Sequence, residues 1–206
     1  GAAFAHSTQM EEIWVALLEK AMAKYYGTYS ALETGFVHFA LQDLTGGESE
    51  AISISQSSRG SNKQLFWTKL IKYRRNKYLL GASTVSSDSA DREILDSGLV
   101  FGACYTILQI FEFDGLKLLQ LRNPPGDHGE WKGDWGDDSP LWTRRMKAKL
   151  DYSDDEDDGC FFMSFDDFCS NFKTLYVGRY YDPDKWSYQQ WTDWWKAKEE
   201  TDAGLP

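Results

Sequence analysis

Leu99-Val100-Phe101-Gly102-Ala103-Cys104-Tyr105-Thr106-Ile107-Leu108-Gln109-Ile110-Phe111-Glu112-Phe113, then Asp114-Gly115, then Leu116-Lys117-Leu118-Leu119-Gln120-Leu121-Arg122, is the stretch whose reading decides the fold. Two apolar-rich runs flank an Asp-Gly pair, and Asp-Gly fits the tight two-residue turns that join antiparallel strands. Both faces of the first run are largely apolar, which places it centrally in a packed sheet. Downstream, Pro124-Pro125-Gly126 opens a loop rich in Trp, Gly and Asp that runs to Trp142. A short helix is expected over 142–150 and an acidic run over 151–158. A strand follows at 160–163, then a helix at 164–171 capped by Ser164 with Asp167 three residues on, then a strand at 174–181.

Upstream, 83–97 is rich in Ser and Asp and reads as mobile, and 78–82 reads as a strand. Leu65, Trp67, Leu70, Ile71 and Tyr73 predict a helix ending in the basic Lys72-Tyr73-Arg74-Arg75. The polar, Ser-rich stretch 48–63 reads as a loop. A short helix is expected near 30–33, a bend at Gly35, and a further apolar segment over 37–41. Thr8-Gln9-Met10-Glu11 has capping-box spacing. Trp14, Leu17, Leu18, Ala21 and Tyr25 then recur at helical intervals until Gly27. The fold class is α+β, with helices first and an antiparallel sheet after them, and no internal repeat.

A chain of 206 residues with nine Trp can bury a substantial core. Its net charge of -10 argues against nucleic acid, because phosphate binding needs a basic surface, and is compatible with cation binding. Three Cys without metal-type spacing are no disulfide framework and point to a reducing compartment. The expected location is therefore intracellular, cytoplasmic or cytoskeleton-associated. No apolar run is long enough to span a membrane, and Gly1-Ala2-Ala3-Phe4-Ala5 lacks the basic start and apolar run of a signal peptide. The chain reads as a fragment of something larger, because a helix pattern begins almost at once.

Six segments, in order and sensibly spaced, carry a family resemblance. They are Trp14-Val15-Ala16-Leu17-Leu18-Glu19-Lys20-Ala21, Leu41-Gln42-Asp43-Leu44-Thr45-Gly46-Gly47 and Gly98-Leu99-Val100-Phe101-Gly102. Further on come Leu121-Arg122-Asn123-Pro124, Glu130-Trp131-Lys132-Gly133 and Asp158-Gly159-Cys160-Phe161-Phe162-Met163-Ser164-Phe165. From about residue 12 to about 178 the chain resembles the second half of a calpain protease core. The resemblance implies an α+β, papain-like second subdomain with a barrel-like antiparallel sheet. It assigns 1–180 to that subdomain and leaves 181–206 as a Trp-rich tail or the start of a following module.

The resemblance also implies a mechanism. A Cys thiolate attacks the peptide carbonyl, a His pairs with it and protonates the leaving amine, and an Asn orients the His. The family's Cys motif does not appear among these residues. Where the family reads Gly-His-Ala-Tyr-Ser, this chain reads Gly102-Ala103-Cys104-Tyr105-Thr106. Ala103 replaces the imidazole, and a methyl group neither accepts a proton nor pairs with a thiolate. Asn123 stands at the position of the orienting amide, and Pro125 replaces the Trp that follows it in the family. Cys104 on a strand, Cys160 at a strand start and Cys169 on a helix do not replace the nucleophile. His128 falls in a loop, and His6 and His38 read as surface or helix-packing residues. The expectation is a non-catalytic calpain-like domain that serves as a binding subunit or scaffold. The alternative is the second half of an active calcium-dependent endopeptidase, completed by a Cys-bearing first half; a calcium sensor is a third reading.

Calcium takes about six to eight hard oxygen ligands. By resemblance, its ligands here are Glu130, Asp137, Asp158 and a backbone carbonyl near Glu156. The family's fourth carboxylate is Cys160, whose thiol suits calcium poorly. Asp138, Asp155 or Asp157 are candidates to compensate, and a solvated acidic loop is the plainer alternative. Trp186, Trp191, Trp194 and Trp195 are a candidate surface for a partner or a neighbouring module. The basic 72–77 stretch reads as a solvated helix end, and Thr45-Gly46-Gly47 as a tight turn. The partners implied are other protein chains of an assembly, or the first half of the core.

Overall fold

The computed structural model describes residues 5, 7, 9, 11–33, 35–85, 94–124, 130–152, 159–182, 184–187, 189 and 191. Its helices are α1 (Trp14–Tyr26), α2 (Val37–Thr45), α3 (Ile54–Ser57), α4 (Asn62–Arg75), α5 (Arg144–Leu150) and α6 (Phe165–Asn171), with a 3-10 turn at Ser30–Leu32. The strands are β1 (Ser49–Ser53), β2 (Leu79–Thr84), β3 (Cys104–Phe113), β4 (Leu116–Arg122), β5 (Cys160–Ser164) and β6 (Phe172–Gly178).

The Asp114-Gly115 hairpin forms as its chemistry requires. Both residues have positive φ, 50° and 79°, the condition for a turn whose twist matches the strands it joins. The sheet runs β1-β6-β2-β3-β4-β5, every neighbour antiparallel. It is an open sheet with β1 and β5 as its edges. β3 sits inside it as expected, but begins at Cys104 rather than Leu99. Gly98 (φ 88°) and Gly102 (φ 65°) turn the chain instead, and Leu95 and Leu99 close the first bend with an N–H···O bond of 2.8 Å. A register shift between Ile107 and Gln109 interrupts the alternation. Leu108 is left 45% exposed, so one face of β3 is not buried along its length.

One sheet face carries the main core. On α4, Phe66, Trp67 and Leu70 are buried along one stripe. They meet Tyr105, Ile110 and Leu121 from the sheet and Phe165 from α6. At the β4–β5 end of the opposite face a smaller cluster joins Leu118, Phe162 and Leu150 to Trp142 and Tyr152. α2 covers β6, with His38 stacked on Tyr176 at 5.7 Å. Ser164 caps α6 as expected, its Oγ accepting from the Asp167 N–H at 3.0 Å.

Several expectations need correction. The stretch 48–63 is no loop: it holds β1, α3 and the start of α4. β1 gains its hydrogen bonds from β6, a partner more than a hundred residues away, which local composition does not reveal. A strand therefore precedes most of the helices. The capping-box start also fails. α1 begins at Trp14 with Ile13 before it and no side-chain cap, three residues beyond Glu11; Thr8 and Met10 lie outside the described residues. β6 starts at Phe172, before the expected 174, because α6 runs directly into it. The second glycine of Thr45-Gly46-Gly47 is explained by close approach, since a Cβ at Gly47 would collide with the Arg179 carbonyl. Among the described residues, no helix is long and apolar enough to cross a membrane.

Candidate functional site

Ala103 lies between Gly102 and the first residue of β3, and its methyl packs against the main core. Its backbone is fixed on both sides. The Thr84 N–H donates to its carbonyl at 3.0 Å, and Thr84 Oγ donates to Val100 O at 2.8 Å. The Val100 N–H donates to the buried Tyr105 hydroxyl at 2.9 Å. Burial raises the Tyr105 pKa from its ordinary value, so that hydroxyl keeps its proton. Asn123 follows β4, is 3% exposed, and donates its backbone N–H to Gly159 O at 2.8 Å. Thr106 pairs with Arg122, so Ala103 and Asn123 sit at the same end of the β3–β4 pair. Pro125, His128 and His6 lie outside the described residues. His38 is a packing residue on α2, against Tyr176 and Phe39.

No disulfide joins Cys104, Cys160 and Cys169. Burial pushes the Cys104 thiol up to about 11 and the Cys169 thiol up to about 11. Nucleophilic cysteines need the reverse, a depressed pKa and an electropositive, accessible setting. Cys160 opens β5 directly across from Arg122.

The acidic loop is built on backbone close approaches. A Cβ at Gly98 would collide with the Glu130 carbonyl, and one at Gly136 with the Trp131 carbonyl. Lys132 N–H donates to Ser97 O at 2.9 Å, and Trp131 Nε1 to Asp134 O at 2.9 Å. Glu130 Oε1 accepts from the Gly159 N–H at 3.0 Å. Gly159 thus touches Glu130 through its N–H and Asn123 through its carbonyl, joining the acidic loop to the end of β4. Asp137 Oδ1 accepts from the Tyr152 hydroxyl at 3.0 Å.

Glu156 and Asp158 lie outside the described residues, as do Asp155 and Asp157. Among the described residues no three His, Cys, Asp or Glu are grouped to hold a metal. The donors that are described suit calcium chemically. Glu130 offers a hard carboxylate against Gly159, which directly follows Asp158, and Asp137 offers a second from the same loop.

Two surface features lie apart from this end. A groove of about 330 Å³ between α1 and α2 is lined by Met22, Tyr26, Phe36 and Phe39. Near it, Trp14, Leu17 and Tyr25 on α1 are exposed. A cavity of about 280 Å³ at the end of α4 is lined by Arg75, Lys77, Tyr181, Lys185 and Trp186. Trp186 meets Tyr181 edge-on at 5.3 Å, Trp191 is exposed, and Trp194 and Trp195 lie outside the described residues.

Sequence reasoning missed Thr84, Tyr105, Gly159 and Tyr152. Thr84 gives no signal, because its partners are reached only through strand pairing. Gly159 has a signal, a lone glycine ending an acidic run, and its φ of 74° explains it.

The description "calpain family cysteine protease" matches residues 1–179. The chain is 45% identical over 184 residues to the calpain-type cysteine protease DEK1 of Zea mays, covering 88% of this chain and 8% of that protein. It is 44% identical over 186 residues to the calpain-type cysteine protease ADL1 of Oryza sativa subsp. japonica, covering 88% and 8%. Against Calpain-A of Drosophila melanogaster it is 33% identical over 185 residues, covering 84% and 22%. The chain thus spans a small part of the length of these relatives.

Proposed function

The chain belongs to the calpain family of cysteine proteases, and from that premise we propose that it acts by binding, as a non-catalytic calpain-like domain that serves as a scaffold or structural subunit. The observation that carries this is Ala103. Its backbone is held by Thr84 and its methyl faces the core, at the place where the family has its imidazole. Without that imidazole no group there holds a thiolate as an ion pair or returns a proton to the leaving amine. Losing the base of a hydrolase triad costs on the order of 10⁶ in turnover. The Cys104 and Cys169 thiols, both pushed up to about 11, offer no substitute nucleophile. A peptidyl electrophile that labels papain-like cysteines tests this directly. No covalent adduct is expected on the folded chain at neutral pH, and stoichiometric labelling of one cysteine overturns the proposal.

The acidic loop would hold calcium through Glu130, Asp137, Asp158 and the carbonyl near Glu156, one carboxylate short at Cys160. Bound there, the ion would supply charge neutralisation and a cross-link. The chain's own contribution is to bring Glu130 against Gly159 and hence toward Asn123. The exposed apolar side chains of α1 support a protein partner, either another chain of an assembly or the first half of a calpain core. An intracellular location, cytoplasmic or cytoskeleton-associated, is part of this proposal, supported by three cysteines that form no disulfide. Cell fractionation tests it, and recovery of the protein outside the cell rejects it.

A second reading rests on the 45% identity to a protein named a calpain-type cysteine protease. In it, this chain is the second half of an active calcium-dependent endopeptidase, with a Cys-bearing segment and an unexpected base. Substituting Asn123 and His128 in the full-length protein would then abolish cleavage, and unchanged cleavage rejects it.

A further inference from the structure

We propose that the cavity at the end of α4 binds an aryl phosphate, a single aromatic ring that carries a phosphate, as in a phosphotyrosine side chain. The cavity holds about 280 Å³, and Arg75, Lys77, Tyr181, Asp182, Lys185 and Trp186 line it. β2 starts at Leu79, just past the Tyr78 that also lines the cavity, and ends at Thr84, which holds Ala103. The cavity and the Ala103 site thus lie at opposite ends of β2, and the ligand is separate from any peptide hydrolysis.

Lys77 stands where the backbone favours another residue. α4 ends in a Schellman turn: the Tyr78 N–H donates to Tyr73 O at 3.1 Å and the Lys77 N–H to Arg74 O at 3.0 Å, with the Tyr73 and Tyr78 rings 5.8 Å apart. The left-handed position of such a turn usually holds Gly and sometimes Asn. Here it holds Lys77 at φ 56°, a conformation that its Cβ disfavours. The residue best suited to the turn is replaced by a cation that lines the cavity.

The charges select the anion. Arg75, Lys77 and Lys185 share the cavity with a single carboxylate, in a chain whose net charge is -10. That carboxylate, Asp182, pairs with Lys185 at 3.3 Å and accepts from the Asp184 N–H at 3.1 Å. Among the described residues Arg75 makes no hydrogen bond or ion pair. Two surplus cations match a phosphate monoester, which carries about -1.5 to -2 at neutral pH. The Arg guanidinium also offers a planar fork for two phosphate oxygens.

The aromatic residues select the ring. Trp186 is 61% exposed, and Tyr181 meets it edge-on at 5.3 Å, which leaves indole surface for a third ring. The Trp186 N–H donates to Asp182 O at 3.0 Å, fixing the turn that carries Lys185 and Trp186. Size limits the ligand to one ring. Pockets for larger molecules run from about 300 to 1,000 Å³, so about 280 Å³ suits a phenyl ring with a phosphate better than a nucleotide.

The test titrates the 206-residue chain with phenyl phosphate, following heat and tryptophan fluorescence, in wild type, Lys77→Gly, Arg75→Gln and Trp186→Ala. Wild type should bind saturably with a Kd of about 1 mM or tighter, and more weakly as salt is raised. Inorganic phosphate and phenol, each lacking half of the ligand, should bind at least about 5-fold more weakly. Lys77→Gly and Arg75→Gln should each lose about 5-fold, and Trp186→Ala about 2- to 10-fold. Lys77→Gly should melt no lower than wild type, because Gly suits the turn; its weaker binding is then a loss of the cation and not of the fold. A neutral peptide with one phosphotyrosine separates the two sources of this chemistry. Binding as tight as phenyl phosphate assigns a modified protein, and weaker binding assigns a free aryl phosphate. Equal affinity in wild type, Lys77→Gly and Arg75→Gln overturns the site. Inorganic phosphate as tight as phenyl phosphate overturns the role of the ring, and tighter adenosine monophosphate overturns the aryl phosphate in favour of a nucleotide. No heat and no fluorescence change with phenyl phosphate up to about 10 mM rejects the proposal.

Discussion

Gly159 donates its backbone N–H to the Glu130 carboxylate at 3.0 Å, across 29 residues of sequence. Its carbonyl takes the Asn123 N–H at 2.8 Å. A single glycine thus ties the acidic loop to the end of β4. Substituting Gly159 by Ala forces an L side chain into φ 74°, a strain of about 1–3 kcal/mol. Chemical denaturation of Gly159→Ala should show that loss, and it should also weaken any cation binding at Glu130.

Gly98 makes a similar demand from the other side. Its φ is 88° and its missing Cβ leaves room for the Glu130 carbonyl. Gly98→Ala should lose more than about 1–3 kcal/mol, because backbone strain and collision add. A midpoint unchanged from wild type in a urea melt would mean that the loop does not dock here.

The buried thiols give a pH dependence. Folding raises Cys104 and Cys169 from 9.0 to about 11 by burial. The folded state therefore favours the neutral thiol, and this contribution is whole below pH 9. It is lost progressively as pH rises from about 9 toward 11, where the unfolded chain ionises first. Stability should fall over that window, and a Cys104→Ala, Cys169→Ala double variant should show a shallower fall. Iodoacetamide labelling of both residues in the folded chain should be slow at pH 7, with a thiolate fraction of about 10⁻⁴.

Ser164 tests an N-cap that the sequence places correctly. Its Oγ accepts the Asp167 N–H at 3.0 Å, so Ser164→Ala should cost about 1 kcal/mol, read by thermal unfolding.

The elements legible in the sequence are those whose signal is local. Asp114-Gly115 specifies its own turn, Ser164 with Asp167 its own cap, and Phe66, Trp67 and Leu70 the buried stripe of α4. β1 was illegible because a five-residue edge strand is made by its partner: Ser49 finds Gly178, and nothing near Ser49 says so. The family pattern places Ala103 and Asn123 at one end of the sheet, and the Thr106–Arg122 pairing puts them there. The frame around them, Thr84 on Ala103 and Gly159 on Asn123, comes from chain segments distant in sequence and needs coordinates to be seen.

Peptide hydrolysis decides between a scaffold and a protease most directly. Casein or a fluorogenic peptide is incubated with the purified chain, with and without millimolar calcium and with and without a thiol alkylator. The proposed non-catalytic role, in which Ala103 takes the place of the family's imidazole and the Cys104 and Cys169 thiols are pushed up to about 11, predicts hydrolysis at the level of the buffer blank in every condition. Calcium-dependent cleavage abolished by the alkylator would contradict a non-catalytic role.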